Sequence, residues 1–162
     1  MQNHFLALQH FLEQNYLRLN VKAEQMTFDV DNLTVTDGGH GETIDGYHFA
    51  NLKYSGIVYA ERLPKHKLLF FSVLIKSWLD RFDEVRQKYD LPDIKLEVIP
   101  LDNGKLIDVM ATLEFVDEVY LTPAEVPGVD TIEWAGRLWH GADYPVDYAA
   151  SGRVAGAPFN AD

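Results

Sequence analysis

The sequence contains no cysteine. A chain without cysteine has no disulfide framework, no thiolate metal site and no thiol nucleophile, and such a composition fits a reducing compartment. It also lacks a run of apolar residues long enough to span a membrane, because the longest run is interrupted by Ser72 and stops at Lys76. The first residues lack the basic region and the cleavage site of a signal peptide. We therefore expect no membrane partner.

Positive charge is scarce, with 14 lysines and arginines against 25 acidic residues and a net charge of −11. Residues 1–89 carry 10 cationic and 11 acidic side chains, whereas residues 90–162 carry 4 and 14. Proteins that bind phosphate backbones need clustered cations, so we expect no nucleic-acid binding. The acidic half serves solubility, or else it forms a face that matches a basic partner.

Catalytic signatures are missing too. No serine lies in a Gly-x-Ser-x-Gly elbow, and no glycine-rich segment ends in the Gly-Lys-Ser/Thr of a phosphate loop. The segment Asp37–Gly46 offers Asp37, His40 and Glu42, whose side chains have the chemistry of metal ligands. Their spacing matches no zinc or EF-hand pattern, so we interpret the segment as a flexible loop. We predict no catalytic residue, no cofactor and no metal.

What the chain does contain is enough apolar sequence for one domain, with 47% hydrophobic residues in 162. Seven apolar residues recur at alternating steps of three and four between positions 66 and 89: Leu68, Phe71, Ile75, Trp78, Phe82, Val85 and Tyr89. This spacing predicts one long helix over 66–89 with a buried stripe. A second stripe predicts a helix over 3–19, with Asn3 as its N-cap.

The remaining segments favour strands. Residues 26–37 alternate in polarity, and the change of parity within them predicts a two-residue turn at Asp31–Asn32 or a bulge. Residues 47–62 predict one long strand with a bulge near Ser55–Gly56. Two hairpins are predicted, one over 93–120 around Asn103–Gly104 and one over 131–140 around Ala135–Gly136. We therefore predict an α+β fold in which an antiparallel sheet packs against one long helix and an N-terminal helix. Residues 1–140 form the predicted domain, and residues 141–162 a predicted extended or disordered arm.

Several polar residues are assigned to the surface by their position in these elements. His4 lies at the start of the first helix, and His48 alternates with the apolar residues of its strand. Asp83 lies away from the apolar stripe of the long helix, on a face that we expect to be solvated. Trp134 and Trp139 flank a predicted turn, where they either anchor an interface or close the core. Together with Tyr144 they are the interface candidates.

Taken in order, these segments resemble the tail completion protein R family of contractile-tailed bacteriophages. The resemblance rests on patterned stretches over about residues 5–140: FDVDN at 28–32, GIVYAERLP at 56–64, LLFFSVLIKSWL at 68–79, LPDIKLEVIPLDNG at 91–104 and IDVMATLEFVDEV at 107–119, with the segment 134–139 as a further match. None of these stretches carries catalytic chemistry.

The resemblance implies assembly. Members of that family act at the head-proximal end of the phage tail, in a role similar to that of tail terminators. By this analogy we expect a tail-terminator-like ring of six copies on the tail tube, which prepares head–tail joining. The implied partners are the tail tube protein, the sheath as a further candidate, and head–neck connector proteins. The implied location is the virion tail, and the host cytoplasm during assembly. Two other hypotheses stay open, an acidic protein-binding module and, last, a small metal-assisted hydrolase.

Overall fold

The computed structural model describes residues 3–141. It contains one antiparallel sheet of seven strands: β1 (Met26–Asp37), β2 (Glu42–Thr43), β3 (Gly46–Pro64), β4 (Lys95–Leu101), β5 (Leu106–Pro123), β6 (Thr131–Trp134) and β7 (Arg137–Gly141). Four α-helices accompany it: α1 (His4–Glu13), α2 (Tyr16–Leu19), α3 (Leu68–Phe82) and α4 (Val85–Lys88). The predicted α+β fold is confirmed. The predicted arm after Gly141 and Tyr144 lie outside the described residues.

The long strands β3 and β5 form the middle of the sheet. Tyr47 lies opposite Leu121 at one end of the pair, and Pro64 lies opposite Leu106 at the other. The sheet order is β1-β3-β5-β7-β6, while β4 pairs with the first part of β5 and β2 with the start of β3. The single long strand predicted over 47–62 is confirmed, but its register shifts fall between His48 and Ala50 and after Ala60, not at Ser55–Gly56.

The preferred prediction of a two-residue turn at Asp31–Asn32 is wrong. The strand continues through this point, and the register shifts between Asp31 and Thr34, as in the alternative prediction of a bulge. Asn32 takes a φ of 56°, a left-handed conformation that asparagine tolerates better than most residues. A turn and a bulge change the alternation of apolar residues along the sequence in the same way. Only the pairing of β1 with the long strand β3 distinguishes them.

The segment Asp37–Gly46 is not a free loop along its whole length. The backbone N–H of Gly38 donates to Phe49 O at 3.0 Å, and the N–H of His40 donates to His48 O at 2.9 Å. Strand β2 then continues the pairing up to the turn before Gly46. This segment is therefore the distal end of the β1–β3 hairpin, which we call the hairpin tip (residues 37–46).

Both predicted tight turns are confirmed. Asn103 and Gly104 have φ of 58° and 73°, and Ala135 and Gly136 have φ of 53° and 76°. Two successive residues with positive φ suit the twist of the antiparallel strands that they join. The hairpins β4–β5 and β6–β7 follow from these turns.

The predicted helices are shorter than their apolar stripes. Instead of continuing to residue 89, α3 ends at Phe82, because Asp83 leaves helical geometry with φ −104° and ψ 74°. The first helix is likewise interrupted before Asn15, although the Asn3 cap is confirmed, since its Oδ1 accepts from Leu6 N at 3.0 Å. Among residues 3–141, no helix is both long and apolar enough to cross a membrane.

The core lies between one face of the sheet and the helices α1 and α3. Phe71, Ile75 and Trp78 of the predicted stripe are at most 2% exposed, and they pack with Val109 and Leu113 of β5 in one hydrophobic cluster. The prediction that the stripe is buried within the subunit is therefore confirmed for α3.

Candidate assembly surfaces

A buried polar cluster joins the start of α1 to the sheet. His4 Nδ1 lies 2.6 Å from Asp117 Oδ1, and the backbone N–H of His4 donates to the same oxygen at 3.2 Å. Tyr54 OH donates to the other oxygen of Asp117 at 2.7 Å. On its far side, His4 Nε2 lies 3.7 Å from Asp83 Oδ1. His4, Asp83 and Asp117 are at most 5% exposed, so the cluster offers no accessible group to a substrate.

The charges of this cluster favour a protonated histidine. Burial alone lowers the pKa of His4, but the hydrogen bond to Asp117 and the charges of Asp117 and Asp83 outweigh it, so its pKa is raised. Burial raises the pKa of Asp83, although His4 and Arg86 partly offset this effect. Burial and the neighbouring Asp117 raise the pKa of Tyr54. The cluster therefore links the start of α1 to β3 and β5 through buried hydrogen bonds.

The same cluster explains where α3 ends. Asp83 turns its carboxylate inward, and Arg86 Nη1 donates to Asp83 Oδ2 at 3.0 Å and to Glu114 O at 2.9 Å. A hydrogen bond from a guanidinium to a strand carbonyl fixes α4 against β5. The interruption of the helix therefore allows the segment after it to reach the sheet.

Two members of this cluster are not where their positions in the sequence predict. His4 and Asp83 were expected at the surface, and both are buried. One signal was available, because Asp117 continues the parity of Leu113 and Phe115 on the apolar side of β5. An acidic residue at a core position needs a buried partner.

A second polar group lies where α4 meets β5. Glu118 Oε2 accepts from Tyr89 OH, and Tyr120 OH donates to Glu118 Oε1 at 2.8 Å. Burial raises the pKa of Glu118, but hydrogen bonds from Lys88, Tyr89 and Tyr120 outweigh it and lower the pKa. His48, expected to point outward, is only 8% exposed, and its Nε2 lies 2.7 Å from Asn51 Oδ1.

The tryptophans predicted as interface candidates close one end of the sheet. Trp139 is 5% exposed, and its Nε1 donates to Trp134 O at 2.8 Å. The ring of Trp134 lies 5.0 Å from the Phe49 ring and 5.2 Å from the Tyr47 ring, measured between centroids. Trp139 therefore packs within the chain, whereas Trp134 stays partly exposed and is the more accessible of the two.

The three residues with ligand chemistry in the hairpin tip remain near the surface. His40 Nε2 lies 3.7 Å from Asp37 Oδ1, and His40 Nδ1 lies 2.9 Å from Tyr47 OH. Glu42 is exposed. Within residues 3–141, no group of three or more histidine, aspartate or glutamate side chains is placed to hold a metal ion.

Two unlike edge strands of the sheet, β1 and β4, leave apolar side chains exposed. On β1, the exposed fractions of Val30, Leu33 and Val35 are 52%, 59% and 67%. On β4, those of Leu96 and Val98 are 37% and 40%. Beside β4, an open groove of about 390 Å³ is lined by Ser72, Val73, Ile75, Lys76, Asp93, Ile94 and Leu96. Exposed apolar surface of this kind is typical of interaction sites.

Charge is also distributed unequally between the two ends of β3 and β5. Six exposed acidic residues lie in the hairpin tip and around β6: Asp37, Glu42, Asp45, Glu125, Asp130 and Glu133. Lys65 and Lys105 lie at the opposite end, joined by a hydrogen bond from Lys65 N to Lys105 O at 2.9 Å. The first group is a candidate surface for a basic partner.

Comparison with known proteins identifies the family. No curated protein and no solved structure matches the chain significantly. The family model described as P2 phage tail completion protein R (GpR) matches residues 2–138, which is nearly the whole of the part described above. The chain therefore belongs to the P2 phage tail completion protein R family.

Proposed function

We propose that this protein completes the phage tail at its head-proximal end by forming a ring on the tail tube, and that the ring prepares the tail for joining to the head. The observation that carries the proposal is the family match over residues 2–138. Membership in a tail completion family gives the protein a structural role in the phage tail. The ring and the step of head joining are the finer parts of the proposal.

The unlike edges of the sheet support self-assembly. A ring of identical subunits needs two different surfaces that fit each other, because each copy contacts its two neighbours in different ways. Strands β1 and β4 are different surfaces of this kind, and both expose apolar side chains. We propose six copies by analogy with tail terminators.

The acidic end supports a contact with a basic partner. Its six acidic side chains are exposed, and Arg137 is the one lysine or arginine among residues 122–141. We propose that this end faces the tail tube protein or a head–neck connector protein, with the sheath as a further candidate. Trp134, partly exposed at the same end, is the aromatic residue that we propose for this contact.

The alternative function, an acidic protein-binding module, is favoured by the same charged end. It differs from the first proposal in one measurable respect, because a binding module does not need to self-associate. The location that we propose is the finished virion tail, and the host cytoplasm during assembly. We propose no catalytic role.

Electron microscopy of tail tubes assembled without this protein tests the proposal. After the purified protein is added, we expect extra density at one end of each tube. The charge-reversed variant E125K/D130K/E133K is the control, and it should bind tubes less well if the acidic end makes the contact. Tubes whose ends are unchanged in the presence of excess wild-type protein would contradict the proposal.

A further inference from the structure

We infer that β1 of one copy pairs with β4 of a second copy, so that the sheet continues from subunit to subunit. The inference rests on the self-assembly proposed above, and it names the two surfaces that meet. Within residues 3–141, β1 and β4 each have a strand on one side only. A free edge presents unpaired backbone N–H and C=O groups, which are a template for another strand.

The directions of the strands suit this contact. Across the sheet the order β1, β3, β5, β4 is antiparallel at every step, so β1 and β4 run in opposite directions. When a second copy is placed beside the first by a rotation about an axis along the strands, its β1 is antiparallel to β4 of the first copy. The alternation then continues across the boundary between subunits.

The two edges also lie at the same height along the strands. Phe28 lies opposite Val58, Val58 lies opposite Ala111, and Ala111 lies opposite Leu96. No shift along the strands is needed to bring β1 of one copy beside β4 of the next. At this height residues 26–29 of β1 face residues 95–98 of β4, so the paired stretch is four residues, about 13 Å at about 3.3 Å per residue, and the end of β4 extends past the start of β1.

Apolar side chains at both edges remain uncovered in the single subunit. Val30 lies opposite Gly56 and therefore has the same parity as the core residue Met26, yet it is 52% exposed. Leu96 and Val98 lie opposite the fully buried Ala111 and Val109, yet they are 37% and 40% exposed. Pairing at this height places Leu96 beside Phe28 and Val98 beside Met26, with Val30 directly after the paired stretch, and it extends the core from one subunit into the next.

One pair of opposite charges meets where the two edges pair. Asp29 lies opposite Ile57, which lies opposite Thr112, which in turn lies opposite Lys95. Asp29 and Lys95 are therefore at one height, on the sheet face away from the helices, and both are exposed in the single subunit. The contact places these opposite charges next to each other. It is a contact between two different surfaces, which generates a closed ring or an open filament.

Cysteine cross-linking tests the pairing, because the chain has no cysteine of its own. Thr27 and Glu97 are exposed and lie at one height through Tyr59 and Met110. Directly opposed residues of antiparallel strands have Cα atoms about 4.5–5.5 Å apart, within reach of a disulfide. The variant T27C/E97C, oxidised alone and on tail tubes, should give a ladder of covalent oligomers that reducing agent removes.

Matched controls define the register. A mixture of the single variants T27C and E97C should stop at dimers, because each copy then carries one thiol. In T34C/E97C, the first thiol lies seven residues further along β1, about 23 Å away, so this variant should not form a ladder. A ladder from T34C/E97C that equals or exceeds that from T27C/E97C would overturn the inference.

A second variant tests the apolar contact without disturbing the fold. Val30 is half exposed, so V30D should keep the unfolding temperature of the wild-type monomer while weakening self-association.

Light scattering of the wild-type protein, alone and on tubes, separates the proposed edge pairing from the proposed ring. If the wild-type protein assembles while T27C/E97C forms no ladder and V30D assembles normally, the edge pairing is wrong and the ring stands. If the wild-type protein stays monomeric and ignores tubes, both are wrong.

Discussion

Replacement of His4 by alanine tests the buried cluster. The change leaves the carboxylates of Asp83 and Asp117 without the imidazolium that lies 3.7 Å and 2.6 Å from them. Both carboxylates are at most 5% exposed, so they lose this partner in surroundings with little access to water, and only Arg86 and Tyr54 remain as side-chain partners. Removal of one member of a buried pair costs about 3–5 kcal/mol. This is a large share of the roughly 5–15 kcal/mol that stabilises an ordinary domain.

The stabilisation that His4 contributes depends on pH, and the shift of its pKa fixes the direction of that dependence. The pKa of His4 is raised in the folded protein above its ordinary value of 6.5. Its contribution is therefore complete below the unfolded pKa, and it is lost as the pH rises through the folded pKa. Asp83, whose pKa burial also raises, acts in the same direction over a window that begins lower, at its ordinary pKa of 3.8, because its ionised form is disfavoured in the folded state. Stability should decrease as the pH rises through this range.

Urea unfolding of wild-type protein and H4A, each followed at pH 6 and pH 9, measures both effects. We expect the difference in free energy of unfolding to be about 3–5 kcal/mol at pH 6 and smaller at pH 9. The control is H66A, because His66 is exposed and its loss should change stability by less than about 0.5 kcal/mol. A loss of less than about 1 kcal/mol in H4A at pH 6, as for a surface pair, would refute the reasoning.

Two further predictions concern the hairpin tip and the core. A methyl group at Gly38 would lie 2.5 Å from His48 O, so G38A should destabilise the protein by about 1–3 kcal/mol, whereas G41A, with open space around it, should be nearly neutral by thermal unfolding. Trp78 is 2% exposed, so W78D should cost more than the about 3–5 kcal/mol typical of Trp→Ala and unfold the monomer. K76A, on the exposed side of the same helix, should cost at most about 1 kcal/mol. A folded W78D monomer that has lost only self-association would place the stripe in an interface.

Alternation and turn residues in the sequence were sufficient to predict most strands. The hairpins at Asn103–Gly104 and Ala135–Gly136 are local features, because each connection contains two successive residues with positive φ. The parity shift near Asn32 left two solutions, since only the distant strand β3 distinguishes a bulge from a turn.

The end of α3 and the buried cluster depend on contacts between distant segments. Periodicity continues through Val85 and Tyr89, so it cannot show that Asp83 turns inward towards His4. The proposed assembly surfaces could not be predicted either, because the exposure of Val30 and Leu96 follows from their positions on two edge strands of the sheet. Strand order, which decides these positions, is not a local property of the sequence.

Completion of tails in vitro tests the central claim most directly. Tails assembled by a phage from which this gene has been deleted are purified and mixed with heads, with and without the purified protein. We expect joined, infectious particles only when the protein is present, with its density at the head-proximal end of the tail in electron micrographs. Tails that join heads equally well without the protein would contradict the account.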